Sequence, residues 1–160
     1  MTTQVRQPAR PASLPPRWFM RIFWALHRAL YSLTRGGLGL SPATPKKSGM
    51  LGLTTIGRRS GQARTAIIAY FDDGPNLVTM AMNGGGESEP AWWLNLQAHP
   101  DTTVQLFNGH RAVRGRAATA EERSRLWARW VEYDGEDLNA LAARRPHETT
   151  VVILEPRSVE

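Results

Sequence analysis

The sequence predicts an α+β fold: a small split β-barrel of about six mainly antiparallel strands, a few helices, and an amphipathic helix ahead of the barrel. Three observations point there. Short apolar runs recur between Gly-, Asp- and Asn-rich breaks, at the spacing of strands joined by tight turns. Two of those breaks, Asp72-Asp73-Gly74-Pro75 and Asn108-Gly109, are hairpin signals, which makes the flanking runs antiparallel neighbours. Between the strands lie segments of helical period with their own start signals. A chain of 160 residues, 41% of them hydrophobic, suffices for one core and not for two.

Residues 1–16 hold four prolines, few apolar residues and scattered arginines, and read as a disordered tail. From Arg17 to Arg35, spacing at 100° per residue gathers Trp18, Phe19, Ile22, Phe23, Leu26, Leu30 and Leu33 on one side, with Arg17, Arg21, Arg28 and Arg35 opposite. Arg21 and Arg28 interrupt the apolar run, so residues 17–35 form a basic amphipathic helix rather than a membrane span or signal-peptide core. Such a helix either lies on an anionic membrane surface or packs against the barrel or a second copy in a homodimer. Gly36-Gly37-Leu38-Gly39 ends it, and residues 36–48 read as a linker. The barrel domain then occupies residues 49–157.

Its expected strands are Leu51–Ile56, Ala63–Phe71, Leu77–Met82, Thr102–Phe107, His110–Ala117 and Thr149–Leu154. Pro90 suits the opening of a helix over Ala91–Ala98. Thr119-Ala120-Glu121-Glu122 is a capping box that starts a helix reaching about Tyr133, with Leu126, Trp127, Trp130 and Val131 as its apolar stripe. A further short helix spans about residues 136–144.

Composition narrows the chemistry. The chain has no cysteine, which excludes disulfides and thiolate catalysis. Its four histidines show no metal-ligand spacing, so no metal site is expected. Charge is unevenly distributed: residues 1–71 carry eleven Lys/Arg and no carboxylate, while residues 72–160 carry a net −5. This asymmetry points to an anionic partner for the first half, a lipid surface, a phosphorylated ligand or nucleic acid, the plainer alternative being a solvated basic tail. Basic and aromatic residues do not interleave outside residues 17–35, so nucleic acid is not expected.

The densest set of candidate site residues lies within residues 51–100. Gly57-Arg58-Arg59-Ser60-Gly61 would place two guanidinium groups on a glycine-bounded turn, with Arg64 entering the next strand, an arrangement suited to phosphate or carboxylates. The plainer alternative is a hairpin whose arginines face water. Met82-Asn83-Gly84-Gly85 would let a planar ring approach the backbone, or would be merely a flexible loop. Trp92 and Trp93 are adjacent on a helix and point about 100° apart, so one can face a cleft while the other enters the core. His99 reads as a helix C-cap and His110 as a strand residue rather than proton donors.

Three ordered motifs carry a family resemblance: Leu53-Thr54-Thr55-Ile56-Gly57-Arg58-Arg59-Ser60-Gly61-Gln62-Ala63-Arg64, then Gly84-Gly85, then Pro90-Ala91-Trp92-Trp93-Leu94-Asn95-Leu96-Gln97-Ala98-His99-Pro100. Over residues 48–156 the chain resembles the deazaflavin-dependent nitroreductases and quinone reductases that use coenzyme F420. The resemblance implies a split barrel in which Thr54, Arg58, Arg59, Ser60, Gly61, Gln62 and Arg64 hold the phosphate and oligoglutamate side of F420. It also implies that Met82, Asn83, Gly84, Gly85, Ala91 and Trp92 lie against the ring. Tyr133, with the N-terminal aromatics, would stand at the mouth for a small hydrophobic acceptor such as a quinone, an activated alkene or a nitro compound. The chain departs from the resembled pattern at Met82 and Asn83, where relatives carry Ser and often Lys. It departs again after Tyr133, where Asp134, Asp137 and Ala140 replace further tyrosines.

The expected function is hydride transfer from reduced F420, with the hard chemistry supplied by the cofactor and no catalytic side chain assigned. A related split barrel using flavin mononucleotide, and a non-catalytic membrane-surface module, are the competing readings. The expected location is cytoplasmic, with peripheral attachment to the inner face of the membrane if residues 17–35 bind lipid.

Overall fold

The computed structural model describes residues 39–135 and 137–158, with Asp134 in its backbone only. The tail over residues 1–16 and the amphipathic helix over 17–35 lie outside these residues. Six strands, β1 (Gly49–Ile56), β2 (Ala63–Asp73), β3 (Asn76–Met80), β4 (Asp101–Leu106), β5 (Gly109–Ala117) and β6 (Val151–Pro156), close into an antiparallel barrel in the order β1-β2-β3-β6-β5-β4. Closure leaves no free edge, which removes the hazard of unpaired strands. Helix α1 (Ala91–Ala98) follows β3, and α2 (Ala120–Asp134) and α3 (Asp137–Ala142) fill the connection from β5 to β6.

Period-two alternation separates two packed regions. Leu51 and Leu53 of β1, Tyr70 of β2, Leu77 of β3, Val104 and Leu106 of β4, Val113 of β5, and Val152 and Leu154 of β6 face the barrel interior, joined by Trp93 and Leu96 of α1. Their neighbours Phe71, Val78, Val151 and Ile153 point outward and are covered by Leu126 and Trp130 of α2 and Leu138 of α3. Leu126 and Trp130 are fully buried and Trp127 and Val131 partly so, which is the stripe that the helical period predicts. Helix α2 starts where its capping box requires: Thr119 Oγ1 accepts from the Glu122 amide and the Glu122 carboxylate accepts from the Thr119 amide at 2.8 Å.

Helix α1 approaches β5 closely because Gly115 has no side chain; a Cβ there would stand 2.3 Å from Leu96 Cδ2. That contact fixes α1, and with it Ala91, Trp92 and Asn95. Within the stretch read as a linker, the described part makes contacts with β1: Ser41 and Met50 exchange backbone bonds at 3.0 and 3.1 Å, and a Cβ on Gly49 would lie 2.5 Å from the Ala43 nitrogen.

The Asn108-Gly109 hairpin is displaced by one residue from its expected register. Leu106 pairs with Gly109, so Phe107 and Asn108 make the turn, and the positive φ of 147° falls on Gly109. A φ in that range costs glycine little, so glycine takes it and Asn108 remains in the ordinary half of backbone space.

Candidate functional site

The β1–β2 turn is a closed knot of short bonds. The Gly57 amide donates to Gln62 O at 2.8 Å, the Gly61 amide to Gly57 O at 2.7 Å, and the Gln62 amide to Ser60 Oγ at 3.4 Å. Gly61 adopts φ 64°, which the backbone reserves largely for glycine, while a Cβ on Gly57 would lie 2.6 Å from the Ser60 Oγ that the turn uses. Because the amides of Gly57, Arg58, Gly61 and Gln62 are bonded within the protein, an anion here would be held chiefly by side chains.

Those side chains converge on one cleft of about 230 Å³, lined by Gly57, Arg58, Arg59, Ser60, Arg64, Ala91 and Asn95. The three guanidinium groups are exposed, and among the described residues no carboxylate stands within ion-pairing distance of any of them. Six other arginines, at 114, 116, 123, 125, 145 and 157, each have an acidic partner within 4.0 Å. Like charges gathered without counter-charge raise the local potential and are matched by an anionic ligand.

Asn95 locks this turn to α1, a role that its place in the third motif does not disclose. Its side chain is buried; Oδ1 accepts from the Arg58 amide at 3.1 Å and from Arg58 Nη1 at 3.3 Å, while Nδ2 donates to Thr55 Oγ1 at 3.3 Å. The available sequence signal is an amide set between Leu94 and Leu96 on a largely apolar helix, since a buried carboxamide must find partners.

Of the sequence-predicted binding residues, Arg58, Arg59, Ser60, Arg64 and Ala91 share the cleft. Thr54 sits on β1 with its hydroxyl 2.9 Å from that of Thr65, and Gly61 and Gln62 belong to the turn without lining the cleft. Trp92 is half-buried against the interior cluster and Trp93 is 5% exposed within it, their centroids 6.3 Å apart, so the two indoles divide as the helical geometry requires. His99 caps α1 through its amide, which donates to Asn95 O at 2.8 Å.

Met82, Asn83, Gly84 and Gly85 form a short 3₁₀ turn between β3 and α1, outside the cleft lining. Asn83, Gly84 and Gly85 have φ of 53°, 60° and 79°, three consecutive left-handed residues. The two glycines have different causes. A Cβ on Gly85 would meet Leu141 Cδ1 at 2.5 Å, so its bareness serves the packing of α3, whereas Gly84 faces open space.

Tyr133 stands elsewhere. Its hydroxyl accepts from Arg129 Nη2 at 3.1 Å and donates to Thr44 O at 3.2 Å, beside a small pocket shared with Ala43, Pro45 and Asp72. Asp72 is at the far end of β2 from the arginine turn. At about 3.3 Å per residue, the strand from Ala63 to Asp72 spans up to about 30 Å.

One residue that the sequence pattern did not single out organises the other side of the loop. Arg145 has a fully buried side chain. Its Nη1 donates to Ala81 O at 2.6 Å and Thr149 Oγ1 at 3.0 Å, its Nε donates to Gly86 O at 3.1 Å, and its Nη2 lies 2.9 Å from His147 Nε2 and 3.4 Å from Glu89 Oε2. Among the described residues no cluster of His, Asp or Glu could hold a metal ion, and no helix is long and apolar enough to cross a membrane.

Comparison with known proteins bears on the family and the fold. The family described as F420H(2)-dependent quinone reductase matches residues 25–156. An F420H(2)-dependent quinone reductase of Mycobacterium tuberculosis is 29% identical over 135 residues, covering 82% of this chain and 89% of that protein. A second M. tuberculosis protein, named provisionally for the same activity, is 34% identical over 100 residues, covering 62% of this chain and 83% of its own length. Among solved structures, an F420-H2 dependent reductase superposes with a TM-score of 0.58 at 24% identity, over 66% of this chain and 93% of that one. A domain-swapped dimer superposes with a TM-score of 0.60 at 21% identity, over 84% and 99%. Both share the barrel fold.

Proposed function

The chain belongs to the F420H(2)-dependent quinone reductase family, and from that premise we propose that this F420-dependent oxidoreductase passes a hydride from reduced deazaflavin to a quinone, with the cleft at Arg58 holding the cofactor's anionic tail. The observation that carries the assignment of the cleft is the trio Arg58, Arg59 and Arg64, exposed and without carboxylate partners among the described residues. A phosphate followed by glutamate carboxylates is a run of anions, and three fixed guanidinium groups complement it as planar, multiply bonding donors. Flavin mononucleotide carries one phosphate and would leave part of that charge unmet.

When bound, reduced F420 supplies the hydride. The protein's contribution is binding and orientation. Asn95 fixes the Arg58 guanidinium and backbone relative to α1, so the helix that presents Ala91 and Trp92 is held in register with the anion-binding turn. Half-buried Trp92 offers an indole to a planar ring, and Met82–Gly85 with its open Gly84 borders the same end of α1 in sequence. Tyr133 and the segment ahead of the barrel are assigned to the acceptor side, where an apolar quinone would enter. Residues 17–35 would keep that side near a membrane that dissolves quinone.

The test is anaerobic mixing of the enzyme with reduced F420 and a water-soluble benzoquinone or naphthoquinone. Quinone-dependent, stoichiometric oxidation of F420H2 supports the reading. Protein that binds F420H2 and leaves every quinone untouched removes the acceptor assignment.

A further inference from the structure

We propose that Arg145 is the positioning residue that sets the shape of the glycine loop against the start of α1, and so the seat of the deazaflavin ring; the inference rests on the functional reading above. Three consecutive left-handed residues, Asn83, Gly84 and Gly85, are not a conformation that a free peptide retains, and Asn83 is the one non-glycine residue with positive φ among those described. Something must hold both ends.

The guanidinium of Arg145 does so. Ala81 and Gly86, whose carbonyls it binds at 2.6 and 3.1 Å, bracket Met82–Gly85. The third reach of the same group is toward Glu89, whose Oε2 is 3.4 Å from Arg145 Nη2; His147 Nε2 stands 2.9 Å from both Arg145 Nη2 and Glu89 Oε1, accepting from the arginine when unprotonated or donating to the carboxylate when protonated. Glu89 precedes Pro90, the cap of α1, and Pro90 O accepts from the Trp93 and Leu94 amides. One buried side chain therefore spans the loop's entry, its exit and the threshold of the helix that carries Ala91 and Trp92.

Local support is thin by comparison. Asn83 Nδ2 donates to Ser88 O and Ser88 Oγ at 3.1 and 3.2 Å, and both lie within the loop itself. Three side-chain ties to the body of the protein stand out among the described residues: Met82 buried in the outer cluster with Trp130 and Leu138, Leu141 against Gly85, and the Arg145 fork, which alone of the three binds backbone on both sides of the turn. A planar fork fixes the angle between its acceptors as well as their distance, which an ammonium cannot do. Arg145→Lys therefore keeps the charge and releases the geometry.

The experiment uses two probes: intact F420, and the deazaflavin nucleoside core, which has the ring but neither phosphate nor glutamates. Affinity and the deazaflavin absorption band are recorded for wild type, Arg145→Lys, Arg145→Met and the Arg58→Ala/Arg59→Ala double variant, at a temperature where each is folded by circular dichroism. Arg145→Lys is expected to weaken both probes by the same factor, at least about tenfold, or about 1.4 kcal/mol. It should also shift the bound absorption band. The double variant is expected to weaken intact F420 and leave the core unchanged. If Arg145→Met does not fold, Arg145→Lys decides. Wild-type affinity for the core with an unshifted band in folded Arg145→Lys would overturn the proposal and leave Arg145 as scaffold alone. Wild-type protein that binds neither probe would instead overturn the functional reading beneath it.

Discussion

Arg58 sits on the β1–β2 turn and Arg145 reaches the glycine loop from beyond α3, and the same side chain is used in opposite ways. The Arg145 side chain is wholly buried, bonded to two backbone carbonyls, a threonine and a histidine, and ion-paired with a glutamate at 3.4 Å. Arg58, with Arg59 and Arg64, is exposed; its one described partner is the neutral Asn95. A buried cation without partners would cost several kcal/mol, so Arg145 is saturated by the protein. An exposed cation costs little to leave unpaired, and a cleft holding three of them remains available to a ligand. On the proposed reading, the contrast separates an arginine that would build the site from those that would bind at it.

The sharpest way to break this distinction is to exchange the expected penalties. Arg145→Met strands Glu89 and the Ala81 and Gly86 carbonyls, and should destabilise folding by about 3–5 kcal/mol, read from the denaturant midpoint. Single alanine replacements at Arg58, Arg59 or Arg64 should each fall within about 0.5 kcal/mol of wild type. Similar losses at both places would show that the exposed trio is structural after all.

Next in size is affinity. Arg58→Ala/Arg59→Ala should weaken F420 by at least about 2 kcal/mol, because charge-assisted bonds are worth roughly 1.5–3 kcal/mol each before discounting for exposure. Unchanged affinity at low salt would remove the turn from the site.

Asn95 joins the two regimes, since it is buried yet serves the exposed turn. Asn95→Ala should cost about 1–3 kcal/mol of stability through the unpaired Thr55 hydroxyl and Arg58 amide, and should also lower F420 affinity by loosening Arg58. A stability loss with wild-type affinity would mean that Arg58 needs no guide.

Surface ion pairs far from the cleft provide a control. The Glu122 carboxyl is held at about 2, first by the Arg116 guanidinium and then by the Thr119 amide, and Asp73 is likewise lowered by Arg125. A depressed folded value means that the stabilisation is full above the ordinary carboxylate value of 4.5 and is lost as pH falls toward 2. Glu122→Gln should flatten the acid limb of the stability curve in that window without altering F420 binding. The smallest expected effect belongs to residues 17–35, outside the described structure. Full-length protein should co-sediment with anionic vesicles at low salt and a version starting at Lys46 should not, each basic residue near the surface adding on the order of 1 kcal/mol.

The difference between the two arginines also marks what the sequence could disclose. The order and type of the barrel's strands and helices, the capping box at Thr119 and the division of Trp92 from Trp93 follow from periodicity and local chemistry, and they appear as those rules predict apart from small shifts at the element ends. The arginine turn was legible because glycines and charges adjacent in sequence remain adjacent in space. Arg145 was not. In sequence it is one of two arginines before Pro146, indistinguishable from a solvated pair, and it is buried only because β6 returns beside β3 and brings Thr149 to Ala81. Asn95 was hidden for the same reason: its partners lie 37 and 40 residues away. The shift of the hairpin turn to Phe107-Asn108 shows that a dipeptide signal locates a turn without fixing its register.

The central claim is that the cleft at Arg58 is built for the extended anionic tail of a deazaflavin. Its most direct test is calorimetric titration of the full chain with F420, flavin mononucleotide and NADPH at two salt concentrations. F420 binding tightest, and weakening as salt rises, is the predicted result. Flavin mononucleotide binding as tightly as F420, or F420 affinity indifferent to salt, would contradict it.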